Sequence, residues 1–133
     1  MRILPCIAIV VYGLSTAAAA IPQEIEQAVT RYIKLAQDLS PLLEKIQDTE
    51  SADAAAQPLY EMLPRVYDAR TELGAIKSLS PEVQQEVIQK YGKTMQEEWG
   101  KVYKHIFRLE KTTGYYSLSF FKQFRALCMM LQQ

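Results

Sequence analysis

Apolar residues recur along this chain at alternating steps of three and four, the spacing that gathers them on one face of an α-helix. From Ile25 to Ile46 the stripe reads Ile25, Ala28, Tyr32, Leu35, Leu39, Leu42 and Ile46, with Glu26, Arg31, Lys34, Asp38, Glu44 and Lys45 between. Ser40 and Pro41 interrupt the backbone hydrogen bonding, yet the stripe keeps its phase across them, which predicts one kinked helix instead of two. Asp48 to Ser51 breaks the pattern. Ser51 is the expected cap of a second helix, with Asp53 in its first turn at the positive end of the dipole. That helix carries Ala52, Ala55, Leu59, Met62, Val66, Ala69, Leu73 and Ile76 on its stripe. Its alanines invite close approach by a neighbour, and Pro58 and Pro64 predict a bend or an irregular turn midway.

The run Leu79 to Glu82 is the clearest start signal, with Ser80 as cap, Pro81 at the first helical position and Glu82 in the first turn. Val83, Val87, Tyr91, Met95, Trp99, Val102, Ile106 and Leu109 continue the stripe to a stop at Thr112, Thr113 and Gly114. A helix of roughly 30 residues and about 45 Å follows from that interval. Gly92 and Gly100 weaken it slightly. Beyond Gly114, Ser117 is a second possible cap, and Leu118, Phe121, Phe124, Leu127, Cys128 and Leu131 mark a shorter closing helix. Such stripes cannot be buried singly. The fold class expected is therefore all-α: an antiparallel helical bundle of three long helices plus a shorter C-terminal helix.

The N-terminal segment has a different composition. Met1 and Arg2 form a positive start, Ile3 to Leu14 is apolar, and Ser15 to Ala20 supplies the small residues that signal peptidases accept. Residues 1–20 thus read as a cleavable export signal, and the apolar run is shorter than the ~20 residues of a membrane span. Residues 21–133 form the expected single domain, periplasmic or secreted, with no stable membrane span after cleavage. Removing Arg2 leaves 14 basic residues against the 15 acidic ones. Cations and anions are interleaved, without the basic stripe that a nucleic-acid partner would call for. Cys6 would leave with the signal, so Cys128 would stand alone without an intrachain disulfide, and it reads as a small buried apolar residue.

Catalytic chemistry is thinly represented. There is one histidine, no glycine-rich phosphate loop, no serine in a nucleophile-elbow context and no paired Cys or His set at metal-ligand spacing. The chain is expected to be non-enzymatic and to need no cofactor. His105 is the single candidate for a haem or metal ligand, which Met62, Met95, Met129 or Met130 on a facing helix could complete. No C-x-x-C-H attachment site accompanies it. Glu98 and His105 lie two turns apart on one helix face, and Glu97 adjoins them, but two ligands do not close a coordination shell. Large rings are the more conspicuous resource. Tyr67 and Tyr103 fall beside their stripes and Tyr115 and Tyr116 sit in a break, so these four are the candidate interaction surface.

The stretch DTESADAAAQPLYEML…LGAIKSL followed by LSPEVQQEVIQKY resembles a group of small exported α-helical bacterial proteins of unassigned activity. They share an S-A-x-A-A-x-P-x-L helix opening and a later helix that starts after a leucine and serine turn. The resemblance covers about half of residues 21–133 and implies a helical hairpin in a cell-envelope setting. A second likeness is to periplasmic helical chaperones and metal-stress sensors carrying L-T-x-x-Q. Here Leu79, Ser80, Pro81, Glu82 and Val83 reach the place of the glutamine, Gln84 stands one position later, and one copy is present instead of two. The expected function is binding of a protein or envelope component through an amphipathic and aromatic surface. A haem- or metal-binding bundle using His105 and a chaperone-like stress protein are the alternatives, and a surplus apolar face would allow a homo-oligomer.

Overall fold

The computed structural model describes residues 20–132. The export signal expected over residues 1–20, with Cys6 inside it, lies outside the described residues except for Ala20. The described residues are helical and contain no strand: α1 is Gln23–Glu44, α2 Thr49–Gly74, α3 Pro81–Lys111 and α4 Leu118–Gln132, with single 3-10 turns at Ala75–Ser78 and Thr113–Tyr116. No helix among them is long and apolar enough to cross a membrane.

The prolines do not divide the helices. Pro41 stands inside α1, and Pro58 and Pro64 inside α2. Each lies on an exposed face, as do Gln37, Ala54 and Tyr60, whose carbonyls lose the proline N–H as donor. Those carbonyls are open to solvent, so the lost hydrogen bonds carry no burial penalty, and no irregular turn interrupts α2.

The cap of α2 corrects the expectation. Asp48, not Ser51, is the N-cap: its backbone is extended and its Oδ1 accepts the Ser51 N–H at 2.8 Å. Ser51 reciprocates, its Oγ accepting the Asp48 N–H at 3.0 Å. A carboxylate at the positive helix end does more than a hydroxyl could, and the two side chains together satisfy two donors that the helix leaves open. Asp53, displaced from the first turn, accepts instead from Ser117 Oγ and from Ser119 Oγ at the start of α4. At α3 the expected start holds, with Ser80 Oγ accepting the Val83 N–H at 3.3 Å behind Pro81.

α1 packs against both α2 and α3, and α2 also against α4. Ion pairs show the register. Arg31 meets Glu72, while Asp38 meets Arg65 at 2.9 Å, so positions rising along α1 face positions falling along α2. Against α3 the numbers rise together: Glu26 accepts from Tyr91 Oη at 2.6 Å, and the Tyr32 carbonyl accepts from Trp99 Nε1 at 3.2 Å. Trp99 also stacks on Tyr32, ring centroids 4.5 Å apart.

The main core joins all four helices through Leu35, Leu39, Leu59, Val102, Phe120 and Leu127 among others. A smaller cluster of Ile25, Val29, Ile33 and Val87 closes the opposite end, flanked by Ile21, Ile76 and Leu79. The expected stripes are buried for the most part, with local departures on α2 and α4. On α2, Leu63 is buried and Met62 only half-buried, and on α4 the buried face is Phe120, Phe124, Leu127 and Leu131, leaving Leu118 in water. Both alternatives obey the three-and-four spacing. Contact with neighbouring helices selects between them, because Ser117 is drawn onto Asp53 and carries Phe120 inward.

Candidate functional site

The link from α3 to α4 is where the backbone departs furthest from ordinary geometry. α3 ends at Lys111, and the Thr112 hydroxyl turns back to donate to the Leu109 carbonyl at 2.9 Å. Thr113, Tyr115 and Tyr116 then adopt φ of 52°, 55° and 61°. For residues with a Cβ this left-handed conformation costs about 1–2 kcal/mol each, and for β-branched threonine it is an outlier. Such strain persists only where neighbouring groups over-determine it.

The anchors are identifiable. Thr49, the first residue of α2, donates its hydroxyl to the Tyr115 carbonyl at 2.7 Å. Arg108, one turn before the end of α3, approaches the Tyr115 hydroxyl at 3.4 Å. Ser117 is buried, accepts the Phe120 N–H at 3.2 Å and donates to Asp53. Between these fixed points Tyr116 and Leu118 remain 83% and 85% exposed. Two large apolar side chains, separated by one buried serine, are thus held outward at the tip of the α3–α4 link.

Arg108 is the hub of this end of the molecule. Its Nη2 donates to the Leu43 carbonyl and its Nη1 to the Ile46 carbonyl, each at 2.8 Å, so it satisfies the open C-terminus of α1. A cation is also favoured at that negative helix end. The same guanidinium lies 3.3 Å from His105 Nδ1. Because arginine can only donate, that nitrogen is the acceptor and the imidazole proton resides on Nε2. Burial, then the nearby Arg108 charge, hold the imidazole below its ordinary pKa.

The four tyrosines singled out from the sequence do not share a patch. Tyr67 is exposed on α2 and lines a cleft of about 400 Å³ with Arg70, Lys77 and Met130. Tyr103 is half-buried, its ring 6.2 Å from Trp99, and lines a separate groove with Phe107, Cys128 and Leu131. Tyr115 is half-buried as an anchor, and Tyr116 projects beside it. The groove at His105 is formed by Gln37, Ser40, Pro41 and Glu44 of α1 with Glu98, Lys101 and Lys104 of α3. No methionine lines it. Met62, Met95 and Met130 pack against the main core instead, and Met129 faces water. Among the described residues no group of three His, Cys, Asp or Glu side chains is placed to hold a metal ion.

Arg108, Thr49 and Leu118 were not legible as site residues. Leu118 matched the apolar spacing of its helix, and Arg108 is one cation among many until its two carbonyl partners, 62 and 65 residues away, are in place. No protein-family model matches this chain, and no curated protein or solved structure matches it at a significant level.

Proposed function

We propose that this chain is an exported, non-catalytic helical module, periplasmic or secreted, that binds a protein or another envelope component through the tip of its α3–α4 link. Its helices then form an up-and-down bundle in which successive helices reverse direction. The observation that carries the reading is the strained turn: three left-handed residues with a Cβ are anchored by Thr49, Arg108 and Ser117, and the outcome is Tyr116 and Leu118 held in water. An aromatic ring presented on a rigid support loses little entropy on docking, which is what a recognition anchor needs, and Leu118 extends the apolar surface beside it. Export is supported by the order of residues 1–20, a charged start, an apolar run and a small-residue tail.

The test pairs two substitutions that leave the core untouched. Tyr116→Ser with Leu118→Ser abolishes capture of the partner from an envelope extract, whereas Tyr60→Ser, on an exposed ring elsewhere, does not. Equal capture by both variants would refute the reading. N-terminal sequencing of protein recovered from its own cells is expected to begin within a residue or two of Ile21.

A further inference from the structure

The strained turn is connected to the one histidine in the chain. Arg108 reaches four groups at once: the α1 carbonyls of Leu43 and Ile46, the Tyr115 hydroxyl, and His105 Nδ1. The two carbonyls accept from it whatever the pH. The last holds it only while the imidazole is neutral, because protonation converts Nδ1 from an acceptor into a donor facing another donor.

We propose that His105 is a proton-operated latch on the docking tip: neutral, it steadies Arg108 against Tyr115, and protonated, it repels the guanidinium and frees the Tyr115–Tyr116 turn to relax from its left-handed conformation. This rests on the turn being the docking tip, and it names how that tip is regulated. Strain supplies the bias toward release, since three left-handed residues regain ordinary backbone angles when the anchor loosens.

The charged surroundings support a latch that works on the acid side. From α1, Glu44 faces the imidazole and favours its protonation. From α3, Lys104 and Arg108 oppose it, and Glu98, which shares the groove, is engaged by Lys101 at 3.4 Å. Burial and Arg108 outweigh Glu44, so the folded imidazole titrates below its ordinary 6.5. A base depressed in the folded state stabilises the closed form fully above the ordinary value, and that contribution is lost as pH falls through the depressed one.

The test needs no partner. The imidazole of the full chain is titrated by NMR while cleavage after Tyr115 and Tyr116 is followed with a protease that cuts beyond aromatic residues, normalised to an unstructured peptide of the same sequence. The imidazole midpoint is expected below 6.5, with cleavage accelerating as pH falls from 6.5 toward that midpoint and levelling off beneath it, by about tenfold in all per pH unit separating the closed and released values. His105→Asn keeps an acceptor oxygen where Nδ1 stands but does not titrate, so its cleavage stays slow and flat. Arg108→Gln is cleaved fast throughout. A midpoint at or above 6.5, or acid acceleration undiminished in His105→Asn, would overturn the latch. Acid acceleration that disappears in His105→Asn, in a protein whose partner capture ignores Tyr116, supports the latch and overturns the docking role alone.

Discussion

Replacing Phe120 by alanine tests the packing of α4 more sharply than any other single change. Phe120 is fully buried, its ring lies 5.4 Å from that of Phe124, and its N–H is the donor to the Ser117 cap. Phe→Ala truncations in cores cost about 3–5 kcal/mol, combining lost transfer energy with the cavity left behind. The α2–α4 contact is anchored just before this ring, where Ser117 and Ser119 donate to Asp53, so little collapse is available and the upper half of that interval is expected. With a urea m-value of about 1.5 kcal/mol/M, the midpoint falls by about 3 M. For a domain of roughly 110 residues, 4 kcal/mol corresponds to about 17 °C in Tm. Helical circular dichroism during urea and thermal unfolding reads both. The control is Leu118→Ala, two residues earlier, expected within about 0.5 kcal/mol of the parent because that side chain is 85% exposed. If Leu118→Ala proved as costly as Phe120→Ala, α4 would be rotated about its axis and the tip described above would not exist.

Two further outcomes follow from titratable groups. Asp38 is held below its ordinary 3.8 by hydrogen bonds from Lys34 and then Arg65. Its contribution to stability is complete above that value and disappears as pH falls through the depressed one, so Asp38→Asn is expected to flatten the acid limb of a stability–pH curve below about pH 4; an unchanged slope would count against the α1–α2 register. Burial, with Glu110 adding, pushes the Cys128 thiol up to about 11 from 9.0. Near neutral pH the thiolate population is then about a hundredfold below that of an exposed cysteine. Alkylation followed by mass spectrometry is expected to be slow in the folded protein and to become fast in denaturant, and equal rates would place Cys128 outside the α3–α4 groove.

Much of the architecture was legible because its signals are local. Ser80, Pro81 and Glu82 announce a helix start that needs nothing beyond the first turn, and α3 does begin at Pro81. The apolar stripe kept its phase across Pro41, and α1 does run through it. At α2 the same local reasoning chose Ser51 over Asp48, since both residue types cap helices and only the reciprocal pair of hydrogen bonds distinguishes cap from partner. Candidate chemistry was harder to read. His105 was visible as a lone titratable group, but its acceptor role depends on an arginine whose own position is set by α1 carbonyls far away in sequence.

The amino-acid order alone determined that four helices form and where most of them start and stop, because helical hydrogen bonds and caps act over three or four residues. Only the tertiary structure decided how the start of α4 is turned about its axis. Leu118 and Phe120 satisfy the same periodicity, and the choice between them lies in the hydrogen bond from Ser117 to Asp53, 64 residues apart. It likewise decided that three residues of the α3–α4 link bear left-handed strain, since that strain is tolerable only when Thr49, Arg108 and Ser117 converge on the link from different helices.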